Sequence, residues 1–551
     1  MAPSKSFIIN QALKNLLLAL LILPTLAFAQ QVEPSQSPRK ILLVPVDDRP
    51  AVAHFASMIG DIAGVQIVTP PKAFLGKFKQ PGAPPSILAW LAKEDLSQYE
   101  AVIVSADMIA YGGLIASRTD RSSETLAKSR LRELWKIRKS SFKTPFYVFS
   151  TLTRIAPTAV AENRAWRQDL YYWAINRERA RLYNDPEAKR KTETYAANIP
   201  KAELTRYDLI RSRNVAIQAE LIRMTYHGAF THITLGQDDA VQAGPNAREI
   251  ASLNQEIARL KLQPRSQICM GIDQVSNCLV SRAISDKANW KPTVAIRSAD
   301  SNGLDQIAAY ESEPIRESLQ DQIQTSGATI TTDPDKADYI LYLNTPKRDP
   351  NQFETFVRDL SASITAGKHI AIADTNLGWS GTADPELFDA LTAKRQGPQL
   401  VSYAGWNTAG NTMGTTIPAA NAYLIALHTN VNGLRRETAA RKFVLHRLVT
   451  DYFYNRYVRP EAYKMIEQMQ NGNREEISTE ENIAIVESYV KKDMEERLRK
   501  MFLDQMVANP FHVKDKTYNV VALQNVVVEL PWPRAYEVHI DFDLQVREVS
   551  N

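Results

Sequence analysis

Asp238 and Asp239 are the residues in this chain best placed for proton-transfer chemistry. They lie within the segment 231–243, THITLGQDDAVQA, where a β-branched apolar run ends in Gly236-Gln237 and hands over to two adjacent carboxylates. Two neighbouring acids cannot both ionise easily, so one is pushed toward its protonated form near neutral pH and can donate a proton. Successive side chains of a regular strand point to opposite faces, so both acids reach one site only if the strand has already ended, which Gly236 permits. The competing reading is an acidic cap on the next helix. It is weakened because Gly244-Pro245-Asn246 makes a better helix start. Cleavage of a glycosidic bond is a reaction that needs such a pair.

Further polar clusters follow other apolar runs. Asp47-Asp48-Arg49-Pro50 combines acceptors with a forked donor, suited to holding sugar hydroxyls or to forming a buried Asp–Arg scaffold. Asp107 precedes Tyr111 and Gly112-Gly113, and its alternative role is to stabilise a turn. Asp374 is the acid of the cluster ADTNLGW, residues 373–379. In YAGWNTAGNTMG, residues 403–414, Trp406 offers a flat apolar face to a sugar ring or acetyl methyl, and Asn407 and Asn411 offer directed hydrogen bonds. Glycines there allow close backbone approach, although a tightly packed turn uses the same residues. Asn246 completes the set of candidate substrate-binding residues.

The elements that must position these residues are short apolar runs alternating with helical stretches. Runs occur at 41–46, 65–68, 101–104, 146–149, 232–235, 293–296, 339–343 and 369–373. This alternation predicts an α/β fold with parallel strands. A (β/α)8-type barrel, regular or irregular, fits the number of runs, and open doubly wound sheets are the alternative. The clusters PVDDRP, SADMIAYGG, STLTR, GQDDA and ADTNLGW all follow runs, so they are expected to share one rim, where α/β active sites lie. Residues 161–228 form a long insertion rich in Arg, Tyr and Trp, broken near Asn184-Asp185-Pro186 and at Pro200. It reads as a lid or as a solvated helical excursion. From about Thr415 the pattern changes to long helices and then two strands, a smaller α+β region at 415–551 after a catalytic region at 30–414.

The 551 residues are 44% hydrophobic and 23% charged, which is ordinary globular composition. A formal charge of +5 with no basic patch interleaved with aromatics argues against nucleic acid as a partner. Lys5 and Lys14 precede the uncharged run LLLALLILPTLAFA, residues 16–29, which ends in Ala27-Phe28-Ala29. This reads as a signal peptide cleaved after Ala29, giving a periplasmic or secreted protein without a stable membrane span, with an uncleaved anchor as the alternative. The spacing of Cys269 and Cys278 allows a disulfide without requiring one. Eight singly scattered histidines and no HExxH give no support for a metal site, and the absence of GxxxxGK[ST] and GxGxxG argues against a nucleotide. No cofactor is expected.

The motifs PVDDRP, SADMIAYGGLIASR, LGQDDA with Asn246-Ala247-Arg248-Glu249, and YAGWNTAGNTMG, with LPWPRAYEV near Leu530, together resemble a bacterial family known as domain of unknown function 4127 (DUF4127). The resemblance runs from about Ile41 to Gly414. One departure is at Asp273-Gln274, where the family pattern has Asp-Glu. A second similarity is to retaining N-acetylhexosaminidases that use substrate assistance, whose barrels carry an Asp-Asp or Asp-Glu pair at a strand end. That similarity implies that Asp238 orients the substrate's acetamido group while Asp239 acts as acid and base. The implied partner is a carbohydrate ending in N-acetylgalactosamine or N-acetylglucosamine. A carboxylate nucleophile, with Asp107 or Asp374 beside Asp239, and a non-catalytic sugar-binding protein are the rival expectations.

Overall fold

Strands buried on both faces must be almost continuously apolar, and the runs read from the sequence meet that requirement. A computed structural model describes residues 38–549 except 379, 380, 471 and 508; the expected signal peptide lies outside the described residues. All eight runs form strands. They are β1 (Arg39–Val44), β2 (Val65–Val68), β3 (Ala101–Ser105), β4 (Phe146–Leu152), β5 (His232–Gln237), β7 (Thr293–Ser298), β9 (Tyr339–Asn344) and β10 (Ile370–Asp374). Three parallel strands were not anticipated: β6 (Ser266–Met270), β8 (Thr329–Ile330) and β11 (Ser402–Ala404).

The strands do not close into a barrel. They form two open, all-parallel sheets, β2-β1-β3-β4-β5-β6 and β11-β10-β9-β7-β8, which is the doubly wound alternative. Both sheets have the same order, in which the second strand lies on one side of the first and later strands add on the other. Helices Pro50–Ile62, Val275–Ala288 and Ala409–His428 share one core with residues of both sheets, including Ile103 and Phe149 of the first and Leu341 and Ala371 of the second. The opposite face of the first sheet is covered by Glu124–Ser140 and the C-terminal half of Lys201–Tyr226, among others. Proline at the first helical position starts Pro50–Ile62 and Pro245–Arg259, which fixes where the loops after β1 and β5 end.

The insertion consists of helices Arg167–Tyr183 and Pro186–Ala197 followed by Lys201–Tyr226, with its own small core around Leu170, Trp173 and Tyr207. Near the C-terminus, β12 (Phe511–Val513), β13 (Lys516–Glu529) and β14 (His539–Glu548) make an antiparallel sheet packed with the second parallel sheet's outer core. The described residues from Arg39 onward form one compact unit, and helix Ala409–His428 runs across position 415. Cys269 and Cys278 are both buried free thiols. Among the described residues no helix is long and apolar enough to cross a membrane, and no group of three or more His, Cys, Asp or Glu is placed to hold a metal ion.

Candidate site at the carboxyl edge of the first sheet

The order of the first sheet reverses at β1, and such a reversal opens a crevice beyond the carboxyl ends of the strands. Loops after β1, β3, β4, β5 and β6 converge there. Four of the five polar clusters are therefore neighbours, as expected. The fifth, ADTNLGW, follows β10 and belongs to the second sheet.

β5 ends at Gln237, so Asp238 and Asp239 lie beyond the alternation of the strand. Gly236 packs so closely against the turn after β6 that a Cβ would lie 2.7 Å from the Gly271 carbonyl oxygen. Asp238 N–H donates to the Leu152 carbonyl (3.2 Å), and Ala240 N–H to the Tyr310 carbonyl (2.8 Å). Asp239 N–H donates to Asp238 Oδ1 (3.0 Å), which fixes the two carboxyl groups relative to each other.

Each acid has its own arginine. Asp238 pairs with Arg118, and Asp239 with Arg154. The first pair is about nine-tenths buried, whereas a quarter of the Asp239 side chain (26%) and of Arg154 (25%) is exposed. Burial raises the Asp239 carboxyl above the ordinary carboxylate range; Asp238 adds to that shift, and Arg154 and Arg118 oppose it. The two acids thus differ in access and environment, the condition under which neighbouring carboxyls take different roles. Sequence reasoning did not single out either arginine, although each closes a quoted cluster, SADMIAYGGLIASR and STLTR.

Beside them, Arg49 is clamped between two carboxylates. Its Nε and Nη2 donate to Asp47 (3.0 and 2.8 Å), and its Nη1 and Nη2 to Asp273 (3.2 and 2.8 Å). The guanidinium lies 5.0 Å from the ring centroid of Trp532, whose Nε1–H donates to Asp48 Oδ1 (2.6 Å). Burial raises the Asp48 carboxyl, against the lowering effect of that hydrogen bond. Asp273, Trp532 and Tyr536 are thus further members of the site. The last two come from the segment LPWPRAYEV between β13 and β14.

Trp406 and Asn407 reach the same region from the turn after β11. Trp406 meets Phe55 edge-on at 5.6 Å, and its Nε1–H donates to Thr415 Oγ1 (3.2 Å). Asn407 adopts φ 58°, a conformation asparagine tolerates, and its Oδ1 accepts from Tyr536 (2.9 Å). A cavity of about 70 Å³ lies among Arg49, Asp273, Trp406, Asn407, Arg447 and Tyr536. A larger cavity, about 440 Å³, is lined by Arg118, Arg154 and the insertion, including Trp166 and Tyr207. The insertion therefore walls the region beside both acids.

The remaining candidates are held by internal contacts. Asp107 is buried, accepts from Ser150 Oγ (3.0 Å), Thr151 N–H and Thr151 Oγ1 (2.7 Å each), and is pushed up to about 6 by burial. The Arg213 guanidinium covers the buried Tyr111 ring at 4.4 Å. Asn246 is buried, with Nδ2 donating to the Val241 carbonyl (3.2 Å). Asp374 is fully buried on the second sheet, where it accepts from Asn344 Nδ2 (2.8 Å) and Asp384 N–H (2.7 Å); burial and Asp384 raise it to about 8. Asn411 donates to Gln274 Oε1 (2.6 Å), and Gln274 Nε2 to the Met270 carbonyl (2.6 Å), so the amide at 274 ties the loop after β6 to the first turn of helix Ala409–His428.

A family model described as "Protein of unknown function (DUF4127)" matches residues 41–541. No curated protein and no solved structure matches the chain.

Proposed function

The chain belongs to the DUF4127 family, whose description names no chemistry, and from the geometry of the rim we propose an exo-acting, retaining glycoside hydrolase that removes a terminal N-acetylhexosamine. The observation that carries the reading is the adjacent, unequal pair at the end of β5. Asp238 is enclosed and fixed by Arg118, whereas Asp239 is partly open and has its protonated form favoured by burial.

In this mechanism the 2-acetamido oxygen of the substrate attacks the anomeric carbon while the Asp239 carboxyl gives its proton to the departing oxygen. The product of that step is a cyclic oxazolinium, and Asp238 orients the acetamide N–H and offsets the positive charge. Asp239, now a carboxylate, takes a proton from water as its oxygen bonds to the anomeric carbon from the leaving-group side. The ring opens and configuration is retained. Because nucleophile and electrophile are in one molecule, positioning contributes much of the acceleration. The apolar edge of Trp406 and the hydroxyl of Tyr536 in the smaller cavity suit an acetamide, and Arg49 with Asp47 and Asp48 suits sugar hydroxyls. We also propose export, with cleavage after Ala29, which N-terminal sequencing of the exported protein tests.

Aryl N-acetylhexosaminides are expected to be cleaved and the matching plain hexosides left intact, with inhibition by a thiazoline that mimics the cyclic intermediate. Asp239→Ala is expected to abolish cleavage of poor leaving groups and to affect activated ones less, while Asp238→Ala damages both. Ordinary activity in both variants refutes the assignment. A carboxylate nucleophile is disfavoured because Asp107 and Asp374 are buried in internal hydrogen bonds. The arginine partners of both acids favour a sugar-binding protein as the second reading; it predicts saccharide binding that persists in Asp239→Asn and no turnover in any form.

A further inference from the structure

The cavity of about 440 Å³ falls within the roughly 300–1,000 Å³ range of small-molecule sites. Its walls are made by the loops after β3 and β4 and by the insertion, and the side chains facing it include six basic and three acidic residues. Three of the basic groups are saturated. Arg211 holds Glu249 through Nε and Nη2 (2.7 Å each) and the Arg154 carbonyl through Nη1 (2.8 Å). Arg206 pairs with Asp120 and Glu203, and Lys79 with Glu476.

The other three are different. Arg118 holds Asp238 through Nη2 and donates through Nη1 to Thr158 Oγ1 (3.0 Å), Arg154 holds Asp239 through a single terminal nitrogen, and the buried Nε of each has no hydrogen-bond partner among the described residues. Arg121 is exposed at the cavity wall and makes no ion pair among the described residues. Trp166, Leu170 and Ile210 add apolar lining to the same cavity, a combination that suits a sugar ring bearing an anionic substituent.

We propose that this cavity receives the sugar unit attached to the departing oxygen and selects one that carries a carboxylate or sulfate, read by Arg121 and Arg154. The inference rests on Asp239 as the proton donor, because that places the leaving group on the Arg154 side of the acid. The preferred substrate is then an acidic oligosaccharide ending in N-acetylhexosamine, not a neutral one.

The test is calorimetric binding to the full chain of three non-hydrolysable thio-linked disaccharides: N-acetylhexosamine joined to glucose, to glucuronate, or to glucose 6-sulfate. At least one acidic compound is expected to bind about tenfold or more tightly than the neutral one, and the better of the two identifies the group. Arg121→Gln, checked for an unchanged melting temperature, is expected to reduce that preference to about threefold or less. Equal binding of all three, or a preference that survives Arg121→Gln, overturns the assignment. Turnover of aryl N-acetylhexosaminides reports separately on the reaction. Turnover without the preference removes only the acidic subsite, whereas the preference without turnover removes the hydrolase reading and, with it, the assignment of this cavity to a leaving group.

Discussion

Replacing Arg49 by methionine tests whether the clamp at the mouth of the first sheet organises the site. The substitution keeps most of the side-chain volume and removes the cation. The side chains of Arg49, Asp47 and Asp273 are only 9%, 3% and 12% exposed, so little water is available to take the place of the guanidinium. Removing one partner from a buried ion pair costs about 3–5 kcal/mol, because an uncompensated charge stays behind. Here two carboxylates are stranded, and stacking on Trp532, worth about 0.5–2 kcal/mol, is weakened as well. A loss near the top of the range, about 5 kcal/mol, is therefore expected. The measurement is the shift in urea unfolding of Arg49→Met relative to the parent chain. Arg49→Met combined with Asp47→Asn and Asp273→Asn is expected to recover most of the loss, since the penalty lies in the stranded charges. A loss below about 1 kcal/mol, or no recovery in the triple variant, refutes the reasoning.

Arg154→Met removes the cation that favours the ionised form of Asp239, so the alkaline limb of the pH–rate profile is expected to move to higher pH; an unmoved limb separates Arg154 from the proton donor. Asp107, raised to about 6, and Asp374, raised to about 8, both hold their protons to higher pH in the folded chain than in the unfolded one. Their contribution to stability is complete below about pH 4 and lost as pH rises through 6 and 8. Melting temperature is therefore expected to be lower at pH 8.5 than at pH 5.5, and Asp374→Asn is expected to flatten the difference while lowering stability throughout. Gly236→Ala would place a methyl 2.7 Å from the Gly271 carbonyl oxygen and 2.8 Å from Ile272 Cδ1. It is expected to cost about 1–3 kcal/mol and, by displacing the end of β5, to reduce turnover; unchanged stability and turnover in Gly236→Ala count against this packing role.

What the sequence disclosed, and what it withheld, follows from the range of the interactions. Strands such as β3 and β4 are legible because a parallel strand covered on both faces must be apolar throughout, a local requirement. β6, SQICM, is the edge strand of its sheet and starts with two polar residues; β11 has only three residues. Neither presents a continuous apolar run. The choice between a closed barrel and two open sheets depends on which strands pair, and no local pattern encodes the departure of the chain after β6 to start a second sheet. The acids at the rim were legible as polar residues directly after an apolar run. Their partners were not, since Arg118 and Asp238 are 120 positions apart. Asp374 was legible as an acid after a strand, yet the same rule applied to the second sheet gave a buried structural group.

The indole of Trp532 meets Asp48 across 484 positions of chain. At about 5–20 residues per second, a ribosome makes the first of these partners roughly 25–100 s before the second. Throughout that interval the loop after β1 lacks its aromatic cover, however well the first sheet has formed. The mouth of the crevice is thus completed only after every strand of both parallel sheets has been made, and a polypeptide that stops before Trp532 carries the strands of the first sheet with an unfinished entrance.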